Sequence, residues 1–385
     1  MGQLHGPLRG IRVVEIAGLG AAPYAAMLLA DMGADVVRID RPASTLRGDP
    51  AKAVLNRGRR SVVVDLKRPA GVEIVLRLVD RADVLLEGFR PGVMERLGLG
   101  PDVCLERNPR VVYARMTGWG RGGPLSHTAG HDLNYLALAG GLHLLARRGQ
   151  RPVTPPGFVA DFGGGGLMLA FGIVSALLET SLSGRGQVVD AAMVDGVASL
   201  TAMVHGFLAQ GRWVDQAGVN FSDGAAPYYD VYETADGGFV AVAADEPQFY
   251  AVLLDRLGLD PQTVPDRDDP AQWEALRKII GAVLGSRSRD EWARVFADTD
   301  ACVTPVLSLS EATTHPHNQA REVFTTAYGV VQPSPTPRFG RTPGVIASPP
   351  PRPGEGGVLA LLDWGLCRTE IAGLAAAGVI GAEPA

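Results

Sequence analysis

The stretch Arg12–Asp40 reads RVVEIAGLGAAPYAAMLLADMGADVVRID. Arg12 to Ile16 is a short apolar strand, and Gly18 to Pro23 is a turn. Tyr24 to Met32 is a helix rich in Ala, Leu and Met, and Ala34 to Ile39 is a second strand that stops at Asp40. Strand, turn, helix and strand in about thirty residues make a βαβ unit. The pattern then repeats. Ser61 to Leu66, Val84 to Glu87 and Val111 to Met116 read as further strands, and Val72 to Val79 as a helix between them. Such alternation predicts an α/β fold, a Rossmann-like domain whose mostly parallel sheet is covered on both faces.

Further along, the glycine run Gly163 to Gly166 reads as a loop feeding a helix from Leu167 to Leu178, broken by Gly184-Arg185-Gly186. Val188 to Asp190 leads into another helix from Ala192 to about Leu208. The pattern then shifts. Strands at Ala226 to Tyr232 and Gly238 to Ala243 flank an Asp236-Gly237-Gly238 turn, and helices follow at Gln248 to Leu257, Ala271 to Leu284 and Arg289 to Ala297. That predicts a smaller α+β domain. Gln332 to Gly357 is rich in Pro, Gly, Ser and Thr and reads as extended or irregular, and Val358 to Ala377 reads as helical.

The 385 residues are 46% hydrophobic and 20% charged, with net charge -5. This gives no electrostatic case for nucleic acid or a membrane surface. Cys104, Cys302 and Cys367 are far apart and fit neither zinc spacing nor a disulfide framework. Neither a secretory pattern at the start nor an apolar run of about 20 residues is read in the sequence. Gly6 breaks a myristoylation motif, and Glu383-Pro384-Ala385 is no peroxisomal address. The expectation is a cytoplasmic protein with no metal.

Two polar islands stand in apolar, glycine-rich surroundings: Gly130-His131-Asp132-Leu133-Asn134-Tyr135, and Asp161-Phe162 before the four glycines. Gly130 permits a tight turn, and Asp132 and Asn134 suit a helix start. The partial charge of a helix N-terminus favours neutral imidazole, the form that acts as a base. His131 is a candidate base or a capping histidine, and Asp161 is an acid/base candidate or the N-cap of the next helix. Glu246, before Pro247, caps a helix or orients a histidine. Gly18-Leu19-Gly20 after a strand is half of a dinucleotide fingerprint, but Pro23 stands where the last glycine belongs. Arg41, Arg57, Arg59, Arg60, Lys67, Arg90 and Arg96 all fall in the first hundred positions, several just after strands. They form either a phosphate-binding rim at the carboxyl ends of the sheet or a solvated face.

Arg12 to Gly18, Gly33 to Asp40, Gly88-Phe89-Arg90-Pro91-Gly92, Gly130 to Tyr135 and Asp190 to Gly196 together resemble the family III CoA-transferases, from about Leu8 to about Gly344. Within that superfamily, His131 with Asp161 and Glu246 resembles the alpha-methylacyl-CoA racemases of the bacterial kind. The resemblance implies a large CoA-binding domain from residues 1–200, a linker at 201–225, a small domain at 226–320, and a return segment at 321–385 that completes the large domain. It implies an interlocked homodimer with each active site shared between chains. Contacts to CoA would come from Arg41, Val64, Asp65, Leu66, Lys67, Gly88, Phe89, Arg90 and Arg96. Gly130, Asp132, Leu133, Asn134 and Tyr135 would line the thioester site. His131 and Asp161 would be the acid/base pair, with the partner subunit's Glu246 hydrogen-bonded to His131. CoA is then part of the substrate and no separate cofactor is implied.

The implied reaction removes the C2 proton of a 2-methyl-branched acyl-CoA and returns one to the opposite face. The alternative within the superfamily is CoA transfer through an anhydride at Asp161. An NAD-dependent oxidoreductase lacks a complete fingerprint, and a non-catalytic acyl-CoA carrier gives two converging titratable groups no work.

Overall fold

In the computed structural model, residues 5–42 and 48–381 are described. The readings made on the start of the chain and on Glu383-Pro384-Ala385 therefore lie outside the described residues, apart from Gly6. The chain divides into two compact units: Met1–Ala139 with Pro155–Leu200 and Arg321–Ala385, and Gly140–Thr154 with Thr201–Ala320.

The first unit opens with β1 (Arg12–Ile16), α1 (Ala21–Asp31), β2 (Asp35–Asp40), β3 (Arg59–Val63), α2 (Pro69–Val79) and β4 (Val84–Glu87). It continues through α3 (Val93–Arg96), α4 (Pro101–Arg107), β5 (Val112–Thr117) and α5 (Asp132–Leu138). A π-helical segment, Val159–Leu167, runs directly into α6 (Met168–Ser183), followed by β6 (Val188–Ala192) and α7 (Met193–Leu200). The six strands are all parallel, in the order β3-β2-β1-β4-β5-β6. The order reverses between β1 and β4, and at such a switch point the carboxyl ends of the strands open a crevice.

Successive strand residues face opposite ways. Val13, Val36, Val84 and Val112 pack against α1 and α6 through Ala25, Leu29, Leu169 and Ile173. Val14, Val37, Leu85 and Tyr113 pack on the other side with Ile74 and Leu78 of α2 and with Trp364 and Ile371. The central strands are therefore buried on both faces, while the edge strand β6 is partly exposed.

One region of this core is charged. Glu15, Arg38 and Ser61 are register neighbours across β1, β2 and β3. Arg59 lies 2.7 Å from Glu15, and Arg38 lies 3.1 Å from Asp40, with all four side chains at most 6% exposed. Two cations and two anions offset one another, which a buried group of charges requires. Arg57 is buried against Asp31 at 2.6 Å, and Arg60 pairs with Asp35 at 2.7 Å and with Asp363. This corrects the expected basic rim. Arg57, Arg59 and Arg60 are held in structural ion pairs, because the fold sets carboxylates of β1, β2 and α1 against them.

The glycines Gly163 to Gly166 are also corrected, from loop to helix. Gly163 donates its N–H to the Phe158 carbonyl, the i−5 spacing of a π-helix. Packing explains the choice. A Cβ on Gly164 would lie 2.9 Å from the Val197 nitrogen of α7, and one on Gly166 would lie 2.6 Å from the Ala21 carbonyl of α1. Helix Val159–Ser183 thus has 25 residues and holds an 18-residue window of mean hydropathy 1.6, long and apolar enough to cross a membrane by length and composition. The sequence, broken at the glycines, showed no such run. Here Leu169 and Ile173 of this helix are core residues of the sheet. Leu167, Phe171, Val174, Leu178 and Leu182 form an exposed stripe.

The second unit holds α8 (Ala202–Ala209), β7 (Tyr229–Glu233), β8 (Phe239–Ala243), α9 (Pro247–Leu257), α10 (Trp273–Leu284), α11 (Arg289–Val295), β9 (Val303–Pro305), α12 (Leu309–Thr314) and α13 (Pro316–Ala320). Its three strands are antiparallel, and Tyr232, Val240, Leu253, Ile280 and Trp292 fill its core. Two boundaries differ from expectation. Gly140–Thr154 joins this unit, where Arg147 pairs with the buried Asp230 at 2.7 Å. Residues 201–225 are not a spacer: they include α8 and a turn in which the Asp223 carboxylate accepts N–H groups of Gly218, Val219 and Asn220.

From Arg321 the chain is again in the first unit, with the hairpin β10 (Phe324–Ala327) and β11 (Val330–Pro333), then α14 (Gly357–Asp363) and α15 (Arg368–Ala376). Trp364 is fully buried and donates its indole N–H to Asp35 at 2.8 Å.

Candidate active site

A cavity of about 330 Å³ lies at the switch point. The turn after β1 (Leu19 to Ala22), the loop after β4 (Gly88 to Pro91) and the end of β5 contribute to its wall, and Gly130, His131, Tyr135 and Asp161 complete it. Gly20 is the N-cap of α1 at φ 70°, ψ −118°, a conformation for which glycine is suited. A Cβ there would lie 3.3 Å from Asp161 Oδ2. The half-fingerprint Gly18-Leu19-Gly20 therefore brings backbone close to a carboxylate.

His131 is the N-cap of α5, in extended conformation and exposed, and its N–H donates to Asn134 Oδ1 at 3.1 Å. Asn134 thus supplies a reciprocal cap. Asp132 does something else. It is 6% exposed, and its Oδ2 accepts the N–H groups of Ala160 (2.7 Å) and Asp161 (2.9 Å). Asp161 itself is not an N-cap. It sits inside the first turn of the π-helical segment, because that helix begins at Val159. Burial pushes the Asp161 carboxyl above its ordinary value, the charge of Asp132 adds to this, and His131 opposes it.

Gly130 serves an aromatic ring rather than a turn. A Cβ on it would lie 2.7 Å from Tyr135 Cε1, and one on Gly118 would lie 2.1 Å from Tyr135 Cζ. Tyr135 is wedged between these backbones and meets Trp119 edge to face, with ring centroids 4.7 Å apart. Burial, then the nearby Asp161, raise its phenol above the ordinary value.

At the end of β4, buried Glu87 accepts the Phe89 N–H at 2.6 Å and fixes the loop that carries Arg90 to the cavity. Burial pushes Glu87 up to about 7, against the Phe89 hydrogen bond and Arg115. Arg41, Lys67 and Arg96 are exposed and do not line the cavity. They follow β2, β3 and β4 respectively, so the parallel sheet sets them toward the same edge as Arg90. Val64 is fully buried in the core, which leaves its side chain no access to a ligand. Asp65 and Leu66 are partly buried, and the Asp65 carboxylate accepts the Lys67 N–H.

Of the expected residues the cavity therefore gathers Gly88, Phe89, Arg90, Gly130, His131, Tyr135 and Asp161. It does not gather Asp132, Leu133 or Asn134, of which the last two are exposed. Glu246 belongs to the second unit, exposed at the N-cap of α9 with no capping bond from its side chain. Sequence reasoning named the Gly18-Leu19-Gly20 turn but missed its approach to Asp161, and it missed Trp119 and the capping work of Asp132. The glycines flanking Trp119 and Tyr135 were the available signal.

The model of CoA-transferase family III matches residues 8–356. The chain belongs to this family. Among similar proteins of known name, the alpha-methylacyl-CoA racemase of Mus musculus is 48% identical, covering 94% of this chain and 95% of the mouse protein. That of Homo sapiens is 45% identical over the same shares. The crystal structure of a CAIB/BAIF family protein from Brucella suis matches with a TM-score of 0.82 and 26% identity, over 94% of this chain and all of that one. In family III terms, the switch-point cavity of the large unit carries this chain's convergent titratable groups.

Proposed function

We propose that this family III protein is an alpha-methylacyl-CoA racemase. It would interconvert the (R) and (S) forms of 2-methyl-branched acyl-CoA thioesters. The observation that carries this reading is that His131 and Asp161, from two separate helix starts, line one cavity. The identity to racemases supports it over nearly the whole chain.

Deprotonation at C2 needs a base within reach and stabilisation of the thioester oxygen as it gains enolate charge. His131 takes the proton from one enantiomer while Asp161 delivers one to the other face, and the roles exchange for the reverse reaction. Asp161 must then be protonated in one resting state. The burial that raises it above the ordinary carboxylate range supports that requirement. Although Asp132 and Leu133 do not line the cavity, their N–H groups directly follow His131, which does, and precede the internal hydrogen bonds of α5; that helix start suits the enolate oxygen, where one such donor contributes about 3 kcal/mol. Arg90 at the cavity, with Arg41, Lys67 and Arg96 on the same edge, suits the phosphates of CoA.

The active form is a homodimer in which the partner subunit's Glu246 hydrogen-bonds His131. The exposed carboxylate of Glu246 and the exposed apolar stripe on α6 support this reading. The second reading, CoA transfer, is favoured by one feature: Asp161 faces the cavity across a turn with no side chain at Gly20, open to a thioester carbon.

Incubation with an (R)-2-methylacyl-CoA in deuterated water, without acceptor acid, separates them. Deuterium at C2 with formation of the (S) epimer supports racemisation. No exchange, but CoA movement once a carboxylic acid is added, makes Asp161 a nucleophile.

A further inference from the structure

The acid/base scheme gives no role to the buried carboxyl of Asp132. It directly follows His131, yet both N–H groups that bind its Oδ2 lie on the helix that carries Asp161. Those N–H groups fall in a first helical turn, which has no acceptors of its own and a positive dipole end. Asp132 Oδ1 is buried with no hydrogen-bond partner. An ionised carboxylate so placed is held by charge-assisted bonds on one oxygen, with its second oxygen unneutralised close to the site.

We propose that Asp132 is a positioning residue: its carboxylate fastens the helix start bearing Asp161 to the helix start bearing His131, setting their spacing, and sets a negative charge beside Asp161. This rests on the racemase reading for its kinetic consequence, though not for its electrostatic one. The charge of Asp132 acts on Asp161 in the direction that retains a proton, and His131 acts oppositely. Tyr135 of α5 is raised by burial first and by Asp161 second, with Arg90 opposing. The titratable groups on other packed elements are engaged elsewhere. Tyr24 and Asp31 of α1 interact with Arg57, and Asp190 of β6 interacts with Arg121, Arg115 and Asp195 of α7. Tyr113 of β5 donates to the Leu99 carbonyl.

The test is a ¹³C-carboxyl NMR titration of aspartate-labelled protein, with the Asp161 signal assigned by its loss in Asp161→Asn. Asp132→Asn keeps an oxygen acceptor for the two N–H groups but removes the charge. The Asp161 midpoint is expected to fall by about 1 pH unit. The kcat of racemisation should fall about tenfold with KM within about twofold, and the pH limb carried by Asp161 should move down with the midpoint. Asp132→Ala, which also removes the acceptor, should lower kcat further. An Asp161 midpoint unchanged in Asp132→Asn overturns the proposal, as does unchanged kcat in a folded Asp132→Ala. If the wild-type protein does not exchange the C2 hydrogen, the racemase reading fails, and the NMR midpoint still decides the role of Asp132.

Discussion

Gly196 meets Gly164 backbone to backbone: a Cβ on Gly196 would lie 1.7 Å from the Gly164 carbonyl oxygen. Helix α7 and the segment bearing Asp161 therefore meet main chain to main chain, with no room for a side chain at Gly196. Gly196→Ala should force them apart and destabilise the protein by about 1–3 kcal/mol or more, the cost of overpacking a filled core. Denaturant unfolding measures the loss. Because the displaced segment carries Asp161, kcat should fall with it, and a variant of wild-type stability and rate would refute the tight contact.

His131→Ala and Asp161→Ala should each lower racemisation by about 10²–10⁴-fold, the usual contribution of a positioned acid or base. Calorimetric titration with CoA should show affinity within a few-fold of wild type. Full activity in either variant sinks the two-base scheme.

Glu87 gives the protein a stability that depends on pH. Its ordinary value is 4.5 and burial moves it to about 7 in the folded chain. Between those values the folded protein keeps a proton that the unfolded chain has released, so stability is lost as pH rises through the window. The full loss is about 3 kcal/mol. Glu87→Gln keeps an acceptor for the Phe89 N–H and removes the titration. Urea unfolding at pH 5 and pH 8 should show the wild type losing more stability than the variant by up to that amount. Equal losses would mean that Glu87 is ionised throughout.

The exposed stripe of α6 is the test of the dimer. Phe171 is 69% and Leu178 is 64% exposed on the chain. The double variant Phe171→Glu with Leu178→Glu should sediment as a monomer and lose racemisation, because His131 then lacks its partner carboxylate. A stable, active dimer would exclude this face from the interface.

The sheet was legible because each of β1 to β5 holds adjacent apolar residues, such as Val13-Val14 and Val62-Val63, and a strand buried on both faces needs little more signal than that. What escaped the sequence depends on residues far apart in it. Arg59 of β3 reads as a basic rim residue until the fold sets Glu15, two strands away in the same sheet, 2.7 Å from it. Gly163 to Gly166 carry the local signature of a loop, and only the contact with Gly196 and Ala21 makes them a helix. Asp132 is visible beside His131 but its hydrogen-bond partners are 28 and 29 positions away. The pair His131 and Asp161 was found from setting and family likeness, whereas their shared cavity required the crossing order of the strands.

The late return of the chain to the first unit bears on how it is made. The outer layer over β3 includes α14 and Trp364, and these come after the whole second unit in the order of synthesis. At about 5–20 residues per second, the sheet waits roughly 10–35 s between completion of α7 and emergence of its cover. During that interval an apolar face of a nascent protein is open to water or to any holding chaperone. A slow-translating cell, or one poor in such chaperones, should yield more of this protein as aggregate than its final stability would suggest.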